Sequence, residues 1–294
     1  MTPRRGDWTG WLWTAPWWLG FLLFLAGPMV ISLYISLCDY PLLQPPVYVG
    51  LENYRRLATD PTFARVVLNT CLYAALAMPA TTVVAILLAV LLNQPVRGQA
   101  IWRACVFVPT IVPMVAVGVV WLWLLNPRLG PVNAILRAIG LDGPLWLDSP
   151  ALAMPSLVLV SLWMVGSPVM ICLAGLQDIP ESLYEAARLD GAGAVRQFWH
   201  VTLPGLSPVI LFNVIMGLIG AWQVFALPYV LWGGGQGPEA TVYFYTMYLF
   251  DAAFRFLQMG YASAMAWVQF AIILALTGLT FLVSRRVVFY QGAR

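Results

Sequence analysis

The chain has 294 residues, of which 61% are hydrophobic and 9% charged, and its formal net charge is +3. Soluble domains carry about a quarter charged residues, so this composition excludes a water-soluble globule and points to a polytopic membrane protein. All 15 basic residues are arginine; without a lysine there is no phosphate-binding loop of the G-x-x-x-x-G-K-[ST] type, and no basic run points to nucleic acid.

Arg4 and Arg5 precede the first apolar stretch, 16–38. No small-residue cleavage site follows it, so it is expected to be a retained first span. Five more stretches, 67–92, 101–125, 152–176, 206–232 and 261–284, each supply the roughly 20 residues that cross a bilayer core. Trp8, Trp11, Trp13, Trp17 and Trp18 at the first stretch, and Trp121 and Trp123 at the third, read as an interfacial aromatic belt. Pro79, Pro109, Pro113, Pro155, Pro168 and Pro228 fall inside stretches and predict kinked or interrupted helices. Cys38, Cys71, Cys105 and Cys172 lie in or beside apolar runs with no ligand spacing, and are expected to be unpaired packing residues.

The loops 39–65, 126–150 and 233–260 are too short for a separate domain, so a single transmembrane domain over 1–294 is expected. Six spans put both termini on one side. With the termini inside, the inner segments hold Arg4, Arg5, Arg97, Arg103, Arg188, Arg196, Arg285, Arg286 and Arg294, against Arg55, Arg56, Arg65, Arg128, Arg137 and Arg255 outside. The arginine bias places both termini in the cytoplasm.

Residues 177–204 then form a polar island on the inner side, with Asp178, Glu181, Glu185, Arg188, Asp190, Arg196 and the one histidine, His200. Asp178-Ile179-Pro180-Glu181 predicts a helix start, with Asp178 as the cap and Glu181 as the capping-box carboxylate. Ile179, Leu183, Ala186 and Ala187 fall at helical spacing and predict one narrow packing stripe. Gly191 and Gly193 break that helix, one of them in a left-handed turn. Val195, Phe198 and Trp199 predict the apolar face of a second short helix, and Leu203-Pro204 leads into the fifth span. His200 has no partner at ligand spacing, the Gly233–Gly235 run reads as a flexible turn, and no catalytic constellation is present.

The island's spacing resembles the EAA signature of bacterial ABC importer permeases: Glu185-Ala186-Ala187, three residues, Gly191, nine residues, Val201, then Leu203-Pro204. Val201 stands where that family usually has isoleucine. Val49-Gly50-Leu51-Glu52-Asn53-Tyr54 with Asp60, Phe63 and Asn69-Thr70 resembles the "GLxNY…D…F…NT" stretch of its sugar-permease branch. Trp121 with Gly130-Pro131-Val132-Asn133, and Phe225 with Tyr229-Val230-Leu231 and Gly233-Gly234-Gly235, resemble two further segments. Trp232 replaces the usual threonine, and Pro238 is displaced. The first outer loop lacks a large insertion, so maltose specificity does not carry over.

The resemblance implies an all-α membrane protein of the type I ABC importer permease fold, with six transmembrane helices and a cytoplasmic coupling helix between the fourth and fifth. It implies a bacterial inner-membrane location and a sugar, polyol or glycerol-phosphate solute moved by ATP-driven alternating access. The partners it implies are ABC ATPase subunits that bind ATP and magnesium, a second and different permease subunit, and an extracytoplasmic solute-binding protein. This chain would hold no cofactor or metal and would not be an enzyme. Coupling to the ATPase would fall to Glu185, Ala186, Ala187, Asp190, Gly191, Leu203 and Pro204. Trp222 and Gln223, read as lying mid-span, are the first candidates for the solute path, followed by Asn213 and Gln269: aromatic faces stack on sugars, amides bond hydroxyls, and polar groups within spans are costly unless used. An ion-coupled secondary transporter or channel is the alternative, but it needs ionisable groups within spans, and the acidic residues lie almost wholly in loops.

Overall fold

In the computed structural model, residues 7–288 are described, excluding the side chains of 7–10, 286 and 287. Arg4, Arg5 and Arg294, and the side chains of Trp8 and Arg286, therefore lie outside the description. The helices in chain order are α1 (Asp7–Phe21), α2 (Gly27–Ser36), α3 (Glu52–Thr59), α4 (Pro61–Leu92), α5 (Gln99–Phe107), α6 (Met114–Leu124), α7 (Pro131–Ala138) and α8 (Pro150–Trp163), followed by α9 (Gly166–Gln177), α10 (Glu181–Leu189), α11 (Ala194–Gln197), α12 (Leu203–Gly205), α13 (Ser207–Trp222), α14 (Ala226–Leu231), α15 (Tyr245–Phe250) and α16 (Met259–Val287). Five-residue π-helical turns at Leu22–Ala26, Phe198–Thr202 and Asp251–Arg255 interrupt the α-helical runs. Among the described residues the all-α fold carries one two-residue ribbon, β1 (Cys38–Asp39) with β2 (Val47–Tyr48), antiparallel with Cys38 opposite Tyr48.

Among the described residues three helices are long and apolar enough to cross a membrane unbroken: Trp11–Ser36, Pro61–Leu92 and Met259–Arg285. Three further stretches reach that length and apolarity only as bent pairs, with 101° between Gln99–Ile111 and Met114–Leu124, 51° between Pro150–Trp163 and Gly166–Gln177, and 65° between Ala194–Gly205 and Ser207–Trp222. The largest bend has a local cause. Val112, forced out of the helical region by Pro113, is extended at φ −69° and ψ 130°, after a 3₁₀ turn over Val108–Ile111. The predicted fifth span, 206–232, is not one helix. It stops at Trp222, and α13 is about 24 Å long, short of a bilayer core of about 30 Å.

By contacts the chain divides into two compact units, one holding the residues up to Phe63 with Leu249–Ala271, the other Ala64–Tyr248 with the residues from Ile272. In the first, Asn53 is buried and donates to the carbonyls of Ser36 and Cys38, both at 2.9 Å, tying α3 to the end of α2. The Tyr54 and Ser36 hydroxyls meet at 2.8 Å. Asp60 accepts from the Tyr261 hydroxyl at 2.6 Å, and Arg56 lies 4.5 Å from the centre of that ring.

In the second unit, the core cluster joins Ala85, Ile86, Ala89 and Leu92 of α4 with Val169, Cys172, Leu173 and Leu176 of α9, and with Ile179 and Leu206. A Cβ on Gly166 would come within 2.5 Å of the Val106 carbonyl, so α9 meets the α5 backbone directly there. Asn69 donates to the carbonyls of Ala240 (2.8 Å) and Tyr243 (3.0 Å). Asn133, fully buried, donates to Pro127 and Pro144 and accepts from the Trp146 indole at 2.7 Å, knotting the loop that carries α7.

Candidate functional site

Residues 177–204 fold as α10, a glycine elbow, α11, a π-helical turn and α12. The expected helix start is displaced. Asp178 follows the last residue of α9, Pro180 precedes α10, and no side chain caps it. Glu181 is not a capping-box carboxylate. It accepts from Arg188 at 2.7 Å, two turns away, in an exposed pair that contributes little to stability.

The elbow forms as expected, and at Gly191. Its φ is +76°, whereas Gly193 is extended at φ −70°. The Gly191 N–H donates to the Arg188 carbonyl and the Ala192 N–H to the Ala187 carbonyl, closing a Schellman motif over the last turn of α10. The same motif ends α14: the N–H groups of Gly233 and Gly234 donate to the carbonyls of Val230 and Tyr229. The glycine run is thus a helix terminator.

The packing stripe differs from the expected one. Ile179 and Tyr184 pack on the core cluster and Ala187 is half-buried, but Leu183 and Ala186 are exposed. Leu189 is 89% exposed, Val195 74% and Trp199 58%, while Phe198 turns inward onto the cluster. The second predicted face, Val195-Phe198-Trp199, is therefore split between core and surface. Apolar spacing identified α10 as amphipathic, but the choice of inner face was made by Tyr184, which finds the hydroxyl of Thr202 at 3.1 Å.

Glu185 and Asp190 are exposed. The Glu185 carboxylate has no ion pair among the described residues, standing one turn from the self-satisfied Glu181–Arg188 pair. Leu203 and Pro204 are half-buried and, with Ser207, Ile210, Leu279 and Val283, line a cavity of about 620 Å³. His200 is exposed, its Nδ1 3.0 Å from the Arg196 carbonyl. Among the described residues no cluster of three or more metal-ligating side chains occurs.

The solute-path candidates separate. Trp222 does not lie mid-helix: it is the last residue of α13, only 2% exposed, with its ring 6.1 Å from that of Tyr245 and its carbonyl accepting from Thr246. Gln223, the next residue, is exposed where the helix ends, before Phe225 at φ −145° starts α14. Asn213 is buried, its amide donating to the Pro168 carbonyl at 3.3 Å and the Cys172 sulfur at 3.1 Å. Gln269 is buried in α16 and is not without a partner. Of these four, Gln223 alone is exposed.

Residues 63–289 match the profile of the family described as binding-protein-dependent transport system inner membrane component. The chain is 38% identical over 292 residues to the probable ABC transporter permease protein YesP of Bacillus subtilis, covering 98% of this chain and 94% of that protein. It is 34% identical to the sulfoquinovosyl glycerol transport system permease protein SmoG of Agrobacterium fabrum, covering 92% and 91%. The crystal structure of a bacterial ABC transporter that imports the acidic polysaccharide alginate contains a chain that superposes with a TM-score of 0.85 at 25% identity, covering 96% of each. The match supports the type I permease fold, and counting each bent pair as one span gives the six expected spans. The chain belongs to the family of binding-protein-dependent transport system inner membrane components, as a permease subunit of an ABC importer.

Proposed function

We propose that this chain forms half of the translocation path for a sugar or related polyol, in an importer that alternates between inward- and outward-open states. The observation that carries the reading is the surface of the 177–204 loop. An exposed Glu185 carboxylate and the exposed Ala186, Leu189, Val195 and Trp199 stand on a loop fixed to the core by Ile179, Tyr184 and Phe198. Exposed apolar side chains interleaved with exposed charges make a surface for a protein partner. A charge in such a contact sets register more than affinity.

That partner is an ABC ATPase subunit, which binds ATP and magnesium and hydrolyses the nucleotide; this chain binds neither. Glu185, Ala186, Ala187, Asp190, Gly191, Leu203 and Pro204 form the coupling element, and both termini lie in the cytoplasm. A second, different permease completes the path, and a solute-binding protein loads it from outside. The sulfoquinovosyl glycerol and alginate named for similar proteins support a glycosidic solute. Gln223 is the leading solute contact, with Trp222 behind it as a packed support.

The test is the full complex in proteoliposomes with its ATPases, second permease and binding protein. Glu185→Lys is expected to abolish uptake while the chain still inserts and is recovered from the membrane. Normal transport-coupled ATP hydrolysis in that variant, or uptake that persists on an ion gradient with ATP depleted, would count against the reading.

A further inference from the structure

α10 is weakly embedded: none of its residues is fully buried, and the chain leaves it through Gly191-Ala192-Gly193. A turn with two glycines is a compliant link. Backbone motion of α10 is therefore poorly passed forward along the covalent chain. One side-chain bond bypasses those residues. The Tyr184 hydroxyl lies 3.1 Å from that of Thr202, which is buried in the π-helical turn Phe198–Thr202. That turn runs into α12 and then, after the bend at Leu206, into α13.

Either hydroxyl can donate in this bond, and the Thr202 hydroxyl also lies 3.5 Å from the Gln197 carbonyl, five residues back. The tyrosine ring itself packs against the α4–α9 core cluster, as does Phe198 from the π-helical turn. A hydrogen bond between two partly buried groups on separate arms, each seated on the same core, holds those arms in one relative position.

We propose that the Tyr184–Thr202 hydrogen bond is the clasp through which displacement of α10 by the ATPase reaches α13. Tyr184 is a positioning residue for transport. It touches neither solute nor nucleotide, and it makes α10 and the 198–222 segment move as one lever. Without the clasp, the glycine elbow absorbs the displacement and ATP is hydrolysed without a matching movement of solute. The inference rests on the coupling reading of the loop given above.

The experiment measures solute imported per ATP hydrolysed in proteoliposomes holding the complete complex. Tyr184→Phe keeps the ring and removes one hydroxyl of the bond, and Thr202→Val keeps the shape and removes the other. Each is expected to lower the ratio about three- to tenfold, the size of one lost hydrogen bond. The double variant is expected to be no worse than either single one, because both remove the same bond. Thr202→Ser retains the hydroxyl and is expected to keep the wild-type ratio, which separates the bond from general damage to the loop. An unchanged ratio in Tyr184→Phe, or losses that multiply in the double variant, overturns the clasp. If Glu185→Lys leaves transport intact, the coupling reading falls and the clasp falls with it. If Glu185→Lys uncouples while Tyr184→Phe does not, the clasp alone is wrong.

Discussion

Asn213 and Cys172 are joined across 3.1 Å: the amide of Asn213 donates to the Cys172 sulfur, and at 3.3 Å to the carbonyl of Pro168. The bond links α13 to α9 within the second unit, and both side chains are buried. An amide that a span offers as a solute contact is here taken up by the neighbouring helix.

The consequence is a stability effect. Polar bonds between membrane helices contribute about 0.6–1.7 kcal/mol, so Asn213→Leu is expected to lower the thermal stability of the purified complex by an amount of that order. The apparent KM for solute should stay near wild type. A raised KM with unchanged melting behaviour would instead place Asn213 in the path.

Gln223 and Trp222 are adjacent but should behave differently. Gln223 is exposed at the end of α13, whereas Trp222 is packed near Tyr245. Gln223→Ala is expected to raise the KM for uptake about tenfold, the loss of one or two hydrogen bonds to hydroxyls, with stability retained. Trp222→Ala is expected to cost about 3–5 kcal/mol of stability and to reduce the yield of folded protein. Full yield with a changed KM in Trp222→Ala would reverse the assignment.

At Gly191, an added Cβ would meet no neighbouring atom within 4 Å, but φ is +76°. The penalty for a side chain is therefore one of backbone conformation, about 1–2 kcal/mol for an ordinary residue and less for asparagine. Gly191→Val is expected to lose uptake while the chain still inserts, and Gly191→Asn to retain a substantial share. Equal loss in the two variants would show that something other than the left-handed turn is at stake.

Gly166 and Gly278 form the opposite contrast. A Cβ at Gly166 would meet the Val106 carbonyl at 2.5 Å and the Phe107 Cα at 3.0 Å, while nothing lies within 4 Å at Gly278. Backbone cannot swing aside as a side chain can. Gly166→Ala is thus expected to destabilise by about 1–3 kcal/mol, and Gly278→Ala to be neutral or stabilising by up to about 1 kcal/mol. Melting curves of the two variants in detergent decide the matter.

Much of the architecture was legible because membrane spans announce themselves locally. A run of about 20 apolar residues has few other uses, and the prolines at 109 and 113 marked where the third span bends. The elbow was legible for the same reason, since only glycine takes the Gly191 conformation without strain. The motif residues Asn53, Asp60, Asn69 and Asn133 were visible as a pattern, but their work was not: each uses its polar side chain on contacts distant in sequence or between neighbouring loops. The fifth span was overextended because 206–232 is apolar throughout, and hydropathy does not register that the helix ends at Trp222.

By itself, then, the sequence determined the class of protein, the number of spans, the polar loop between the fourth and fifth and the residue at its elbow. These follow from composition and from backbone preferences that act over a few residues. Only the tertiary structure decided which face of α10 turns inward, that Thr202 meets Tyr184, that Asn213 is consumed by Cys172, and that Gln223 stays open. Each of these depends on which group a side chain meets after folding, and a polar atom's availability is set by that partner and not by its own chemistry.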